Sequence, residues 1–104
     1  MSTVVLTSDN FQKEALDSNI PVLIDFWAPW CAPCRALTPI VEEVGRELSG
    51  KVKVGKVNVD EQRELAARFG IMSIPTLTVM KGGKVTGTAL GLRPKEMILK
   101  MLED

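Results

Sequence analysis

The feature that most constrains this sequence is a pair of cysteines, Cys31 and Cys34, together with the segments on either side of it. The uninterrupted run Val22–Trp27 precedes the pair, and an amphipathic stretch over residues 35–48 follows it. The run is too apolar for a half-exposed strand, so it predicts a central β-strand that is covered on both faces. Apolar residues at helical spacing in the second stretch predict a helix. We therefore expect a strand, a short loop and a helix with both cysteines on its first turn.

This position has chemical consequences for the two thiols. Cys31 should lie at the helix N-terminus, where free backbone N–H groups and the positive end of the helix dipole favour a thiolate. The thiolate is the form that attacks disulfides. Pro33 is tolerated this early in a helix because its missing N–H would have no partner. The stretch therefore predicts a redox dithiol, with Cys31 as the nucleophile and Cys34 as the thiol that resolves its mixed disulfide.

Two other interpretations of the cysteine pair stay open from the residues alone. Zinc sites use the same spacing, but zinc needs two more ligands, and the chain has no other Cys and no His. A metal site would therefore have to use carboxylates or be shared between two chains, and we expect none. A purely structural disulfide would close a very small loop and would constrain little of the unfolded chain.

Length and charge limit the class of protein. A chain of 104 residues suits one domain, and we expect a single domain over residues 1–104. Thirteen basic and thirteen acidic residues cancel, which gives no indication of binding to nucleic acid or to a membrane surface. The first residues do not resemble a signal peptide, and no apolar run is long enough to span a membrane. Two cysteines in a chain without a leader favour a reducing cytosol.

Periodicity and turn residues predict the element order βαβαβαββα, which implies a sheet between helices. The remaining strands are expected over residues 4–7, 51–59, 74–80 and 85–90, and a hairpin turn over residues 81–84 is expected to join the last two. The remaining helices are expected over 8–17, 61–69 and from Pro94 onward. Thr7 or Ser8 is expected to cap the first of these helices and Asp60 the second. The last helix is expected to bury Met97, Ile98, Met101 and Leu102.

Several motifs stand in the order and spacing of one known family. They are Asp-Phe-Trp-Ala-x-Trp-Cys-x-Pro-Cys over residues 25–34, Phe69-Gly70-Ile71, Ile74-Pro75-Thr76 and Gly91. The chain resembles the thioredoxin family over essentially its whole length. This resemblance implies an α/β fold in which a central five-stranded mixed sheet, of strand order 1-3-2-4-5, is flanked by four helices in an α/β/α sandwich. One departure is Ala32, where thioredoxins usually have Gly.

The resemblance also implies an activity, namely reduction of disulfides in protein substrates, with a thioredoxin reductase to recycle the oxidised form. It implies a cytoplasmic monomer that transports electrons in cell redox homeostasis and binds no cofactor. Ala32 and Pro33 place no cation beside Cys31, so the reduced form should be stabilised less than in oxidising relatives, which favours a reductase over an oxidase. The rival hypothesis is a binding or holdase subunit of the same fold whose thiols are not required.

Two charged residues are candidates for roles beside the thiols. Asp25 is an acid within an apolar strand, where desolvation would raise its pKa. The resemblance implies that Asp25 lies under the cysteine pair and takes the proton from Cys34, with Lys56 as its partner. Asp25 could instead make a polar contact at the strand end or face a water-filled gap, and Lys56 could extend its ammonium group to solvent.

The resemblance further implies a cis Ile74–Pro75 peptide bond against the cysteine pair, with the Ile74 backbone free to bind an extended substrate segment. As isolated residues, the side chains near this bond would be ordinary surface or core. As a set beside a thiol they predict an apolar docking surface for unfolded or extended protein segments. We expect that surface to comprise Pro29, Trp30, Ala32, Pro33, Met72, Ile74, Pro75, Leu90 and Gly91.

Overall fold

A five-stranded sheet forms the centre of the fold in the computed structural model, which describes residues 3–103. Its strands are β1 (Thr3–Val5), β2 (Val22–Trp27), β3 (Lys53–Asn58), β4 (Thr76–Lys81) and β5 (Lys84–Leu90). Their order is β1-β3-β2-β4-β5, as the family resemblance implies. Strand β3 runs parallel to both β1 and β2, whereas β4 is antiparallel to β2 and β5. The apolar run identified in the sequence is therefore the central strand, with its predicted bounds.

Helices cover both faces of the sheet. They are a π-helix over Gln12–Leu16 and the α-helices α1 (Ala32–Glu47), α2 (Arg63–Arg68) and α3 (Lys95–Glu103). The π-helix and α2 pack on one face of the sheet, and α1 and α3 pack on the other. The predicted α/β/α sandwich is confirmed, with the difference that one of its four helices is of the π type.

Alternation along β2 assigns its side chains to the two faces. Val22, Ile24 and Phe26 belong to the core under the π-helix and α2, whereas Leu23 belongs to the core under α1 and α3. Because successive strand residues point to opposite faces, Asp25 shares the α1 face with Leu23. The acid at the centre of the sheet is thus directed toward the helix that begins at the cysteine pair.

Both predicted helix caps are wrong, and neither Thr7 nor Ser8 provides a side-chain cap for the π-helix. Thr7 Oγ1 accepts a hydrogen bond from the backbone N–H of Asn10 at 3.3 Å, and Asn10 Oδ1 accepts one from Thr7 N–H at 2.8 Å. These bonds close a turn before the π-helix and do not cap the helix itself. Asp60 does not cap α2 either, because Asn58 Oδ1 accepts the backbone N–H groups of Asp60 and Glu61 and α2 begins later, at Arg63.

The predicted burial of α3 is correct for three of its four apolar residues. Ile98 is fully buried, and Met101 and Leu102 pack against the same core. Met97 is 48% exposed, in disagreement with the prediction. It lies one position before Ile98 and therefore at the margin of the apolar stripe.

The β4–β5 connection is the predicted hairpin. Gly82 and Gly83 have φ angles of 59° and 80°, a left-handed conformation at both central positions that glycine adopts at little cost. The pairing of the two strands is shifted between Val79 and Met80, which indicates a β-bulge. The turn residues alone thus identify the hairpin, and the bulge lies just beyond it.

Gly55 of β3 is the position at which the core tolerates no side chain. A Cβ atom built there would lie 2.8 Å from Leu6 Cγ and closer still to Leu6 Cδ1. Leu6 is fully buried, and its N–H donates to the Lys56 carbonyl at 2.8 Å, so its backbone is held beside β3. The Leu6 side chain thus fills the space that a side chain at residue 55 would need.

We expect Gly55→Ala to lower the free energy of unfolding by about 1–3 kcal/mol, the usual cost of overpacking a core. The matched control is Gly87→Ala in β5, where a new Cβ would meet only Met101 Cε, at 4.0 Å. That variant should stay within about 0.5 kcal/mol of the parent protein. Urea denaturation of the three proteins measures both values. Equal stabilities of the two variants would show that Leu6 moves aside without cost.

Candidate active site

The two cysteines lie at the start of α1 and are joined by a disulfide bond, with their Cα atoms 5.2 Å apart. Cys31 is the N-cap residue of α1 and has an extended backbone, and Pro33 occupies the first turn. The backbone N–H of Cys34 donates a hydrogen bond to Cys31 Sγ at 3.2 Å. A sulfur atom therefore takes the place of the side-chain oxygen that usually caps a helix. The geometry matches the predicted redox dithiol.

The loop between β2 and α1 is fixed by hydrogen bonds at both ends. The Trp27 carbonyl accepts the N–H of Val59 at 2.9 Å, and the Ala28 carbonyl accepts the N–H of Cys31 at 3.2 Å. Arg35 Nη1 reaches back from α1 to the carbonyl of Pro29 at 2.9 Å. The strand, the loop and the first helical turn thus hold Cys31 in one place relative to the sheet.

A second loop meets the disulfide from the other side. The Ile74–Pro75 peptide bond is cis, as expected, and the Ile74 carbonyl oxygen lies 3.8 Å from Cys31 Sγ. The N–H of Gly91 donates to the Pro75 carbonyl at 2.8 Å. The cis-proline loop therefore lies beside the sulfur of Cys31, and the segment at Gly91 is bonded to that loop.

The predicted docking residues differ in how far they reach into solvent. Met72 is 95% exposed, Trp30 67% and Leu90 59%. Pro29, Ala32 and Pro33 are also exposed, Ile74 and Gly91 are half-buried, and Pro75 is buried. The indole N–H of Trp30 donates to Asp60 Oδ2 at 2.8 Å, so the Asp60 carboxylate orients this ring. The fold brings these residues to the surface around a disulfide that is itself almost buried.

Asp25 is completely buried, and neither of its carboxylate oxygens has a hydrogen-bond partner in residues 3–103. Burial raises the pKa of Asp25 from 3.8 to about 6, because desolvation disfavours the charged form, although the positive charge of Lys56 acts in the opposite direction. On the same face of β2, Leu23 packs with α1 and Trp27 packs with the two cysteines. Asp25, between them, therefore lies beneath the first turns of α1.

Lys56 is the register partner of Asp25 on β3, but its ammonium group binds elsewhere. The Nζ atom donates to Thr38 Oγ1 at 3.3 Å and lies 4.8 Å from the centroid of the Trp27 ring. Thr38 Oγ1 in turn donates to the Cys34 carbonyl at 3.1 Å. Sequence reasoning did not identify Thr38, although its position four residues after Cys34 places both on one face of the helix.

Two further findings concern metals and membranes. Across the described part of the chain, no group of three or more His, Cys, Asp or Glu side chains is arranged to hold a metal ion. Over the same residues, no helix combines the length and the apolar character that crossing a bilayer requires.

Comparison with known proteins identifies the family of this chain. The thioredoxin family model matches residues 2–104. Thioredoxin 1 of Nostoc sp. is 48% identical over 98 residues, which cover 94% of this chain and 92% of that protein. The thioredoxin of Rickettsia felis is 49% identical over 90% of both chains, and that of Synechocystis sp. is 47% identical over 99% of this chain and 97% of its own length. With its Cys31–Cys34 disulfide at the start of α1, the chain belongs to the thioredoxin family and is a dithiol–disulfide oxidoreductase.

Proposed function

We propose that the chain reduces disulfides in proteins, with Cys31 as the attacking nucleophile and Cys34 as the resolving thiol. The observation that supports this assignment is the hydrogen bond from the Cys34 N–H to Cys31 Sγ at the N-terminus of α1. A backbone donor and the positive end of the helix dipole both stabilise negative charge on that sulfur. Cys34 is the more deeply buried of the two, at 1% exposed against 5% for Cys31.

The reaction proceeds in two exchange steps. The Cys31 thiolate attacks one sulfur of the substrate disulfide, the substrate S–S bond breaks, and the second substrate sulfur leaves as a thiolate that takes up a proton. Cys34 then loses its proton and attacks Cys31 Sγ in the mixed disulfide. The bond between enzyme and substrate breaks, the substrate leaves with both sulfurs reduced, and the Cys31–Cys34 disulfide forms. Two electrons have passed from the enzyme to the substrate.

Asp25 is the proposed acceptor of the Cys34 proton. Its carboxyl group is buried beneath the first turns of α1, and its pKa of about 6 makes it a stronger base than an ordinary aspartate. At neutral pH most of the group is ionised and can take a proton, which is the condition for an efficient general base. Lys56, through its charge, adjusts the basicity of Asp25 and is included in the catalytic set on that ground.

Substrates bind to the apolar surface around Cys31. A groove between Trp30 and Met72 has Val59 and Ile74 among its lining residues, and these two side chains also pack against the cluster that contains both cysteines. An extended polypeptide could place its side chains there and hydrogen-bond the backbone beside Pro75. The proposed binding surface comprises Trp30, Ala32, Pro33, Met72, Ile74, Pro75 and Gly91.

The oxidised form requires an electron donor, and we propose a thioredoxin reductase. This proposal is supported by the match to the thioredoxin family, because resemblance to that family implies recycling by such a reductase. We further propose that residues 1–104 form a single domain, which acts as a cytoplasmic monomer in electron transport and cell redox homeostasis.

Reduction of insulin disulfides in the presence of dithiothreitol tests the activity. Loss of acceleration in the variant with both cysteines changed to Ser is expected, and full retention would favour the binding-subunit hypothesis.

The order of the two steps predicts a trapped intermediate. With Cys34→Ser, a mixed disulfide should accumulate between Cys31 and the substrate, because the resolving thiol is missing. The measurement is mass spectrometry of the adduct after incubation with oxidised insulin. Cys31→Ser is the matched control and should give no adduct. An adduct on Cys34 in that control, equal in yield, would reverse the assignment of the two thiols.

Asp25→Asn should stabilise the oxidised protein relative to wild type as the pH rises. Because the folded pKa of about 6 lies above the unfolded value of 3.8, the cost of ionising Asp25 is absent below pH 3.8, grows between these values and is constant above about pH 6. The difference between the folded and unfolded pKa values corresponds to a gain in the free energy of unfolding of about 3 kcal/mol for the variant at pH 8. Urea melts from pH 4 to pH 9 measure the difference between the proteins. A difference that does not change with pH would contradict a strained buried acid.

The same substitution should slow the resolving step and leave the first attack by Cys31 nearly unchanged. General bases typically contribute about 100-fold or more, so the mixed disulfide of Asp25→Asn should persist about 100-fold longer at pH 7. The defect should shrink toward pH 9, where the thiol ionises without help from a base, since free cysteine has a pKa of about 8.5. Rapid acid quench followed by separation of the mixed disulfide measures the rate. A defect of equal size at all pH values would assign Asp25 a structural role only.

A further inference from the structure

Thr38 of α1 links the Cys34 carbonyl of that helix to the ammonium group of Lys56. Its hydroxyl donates to the Cys34 carbonyl at 3.1 Å, which directs its free lone pairs away from the helix backbone. The Lys56 ammonium donates to that same oxygen at 3.3 Å. The hydroxyl hydrogen is thus committed to the helix, and the oxygen is available as an acceptor for a cation.

In this arrangement Lys56 does not bind the carboxylate of Asp25, although the two residues are neighbours in the sheet. Asp25 and Lys56 face each other in the parallel register of β2 and β3. A lysine side chain is long and flexible, and a buried carboxylate is a strong acceptor for an ammonium group. Nevertheless, both oxygens of Asp25 lack a hydrogen-bond partner within the described residues, while the ammonium binds a neutral hydroxyl and lies over the Trp27 ring.

We propose that Thr38 is a positioning residue that holds the Lys56 ammonium against the first turns of α1 and away from the Asp25 carboxylate. The hydroxyl of Thr38 and the face of Trp27 provide two favourable contacts for the ammonium group. Lys56 therefore acts on Asp25 through its field and not through a direct ion pair. The consequence is that Asp25 keeps the basicity that a direct pair would remove.

The other charged groups near Asp25 do not provide an alternative explanation. On β3 the facing residue is Lys56, and on β4 the register partner is Leu77, which carries no charge. On α1 the titratable groups nearest the site are the two cysteines, which do not titrate while they form a disulfide. Lys56 is the charged group that acts on the pKa of Asp25 in the described structure, so a change in its position is read out directly at Asp25.

The test is an NMR titration of the Asp25 carboxyl carbon in the oxidised protein. Thr38→Val keeps the branched shape and removes the acceptor, so the ammonium should move to Asp25 and lower the titration midpoint by about 1 pH unit, as a close opposite charge does. Lys56→Met removes the charge and should raise the midpoint. The double variant should match Lys56→Met, because Thr38 acts through Lys56. Thr38→Ser keeps the hydroxyl and should restore the wild-type midpoint.

Thr88→Val, at an exposed position of β5, is the control for loss of a threonine hydroxyl elsewhere and should leave the midpoint unchanged. Thr38→Ala, with the same expected direction, replaces the valine variant if that one does not fold. A midpoint that is unchanged or raised in Thr38→Val or Thr38→Ala would overturn the proposal.

The kinetic consequence rests on the proposed role of Asp25 and is tested separately. If Asp25 is the base, the pH profile of mixed-disulfide resolution in Thr38→Val should move to lower pH together with the NMR midpoint. A moved midpoint with an unmoved pH profile would leave the positioning role of Thr38 intact and refute Asp25 as the base.

Discussion

Burial of β2 from Val22 to Phe26 is the constraint on which the rest of the structure depends. The strand has a hydrogen-bonded neighbour on each side and a helical layer on each face. Its backbone groups are satisfied by β3 and β4, and the chain can leave the sheet only at Trp27. The turn that follows is short and fixed at both ends, so the N-cap residue of the next helix has one position available. That residue is Cys31, and its reactivity follows from this position.

A polar group in such a strand would normally be a defect, since an unpaired buried carboxylate costs free energy. Here the cost falls at Asp25, beneath the cysteines, and it takes the form of a raised pKa. Strain of this kind at a functional site is tolerated when the surrounding packing is strong enough to impose it. The two hydrophobic clusters on either side of the sheet provide that packing. Burial of Asp25 therefore lowers the stability of the fold and, at the same residue, raises the basicity of the carboxylate.

The sequence predicted β2 within its observed bounds because a run of six residues that is apolar except for Asp25 is best accommodated as a central strand. It predicted the β4–β5 hairpin because Gly82 and Gly83 favour that turn. The strand order came from family resemblance, since hydrophobic patterns do not encode which strands are neighbours. Patterns also failed before α2, where Asn58 accepts the backbone N–H groups of Asp60 and Glu61 and the Asp60 carboxylate binds the Trp30 indole. Thr38 was missed because a hydroxyl on an amphipathic helix has the same sequence pattern whether it faces water or the ammonium group of a half-buried lysine.

The two outermost strands have a consequence for association between copies of this chain. An open sheet offers unpaired backbone groups at its margins, and long flat margins invite pairing with other sheets. Within the described residues β1 comprises Thr3–Val5, and the bulge beside Met80 increases the local twist of the margin that β5 forms. Lys84 adds a charge at the start of that strand. These features oppose growth of the sheet from one molecule into the next, so the chain exposes Trp30, Met72 and Leu90 without also offering sheet margins that pair readily with other copies.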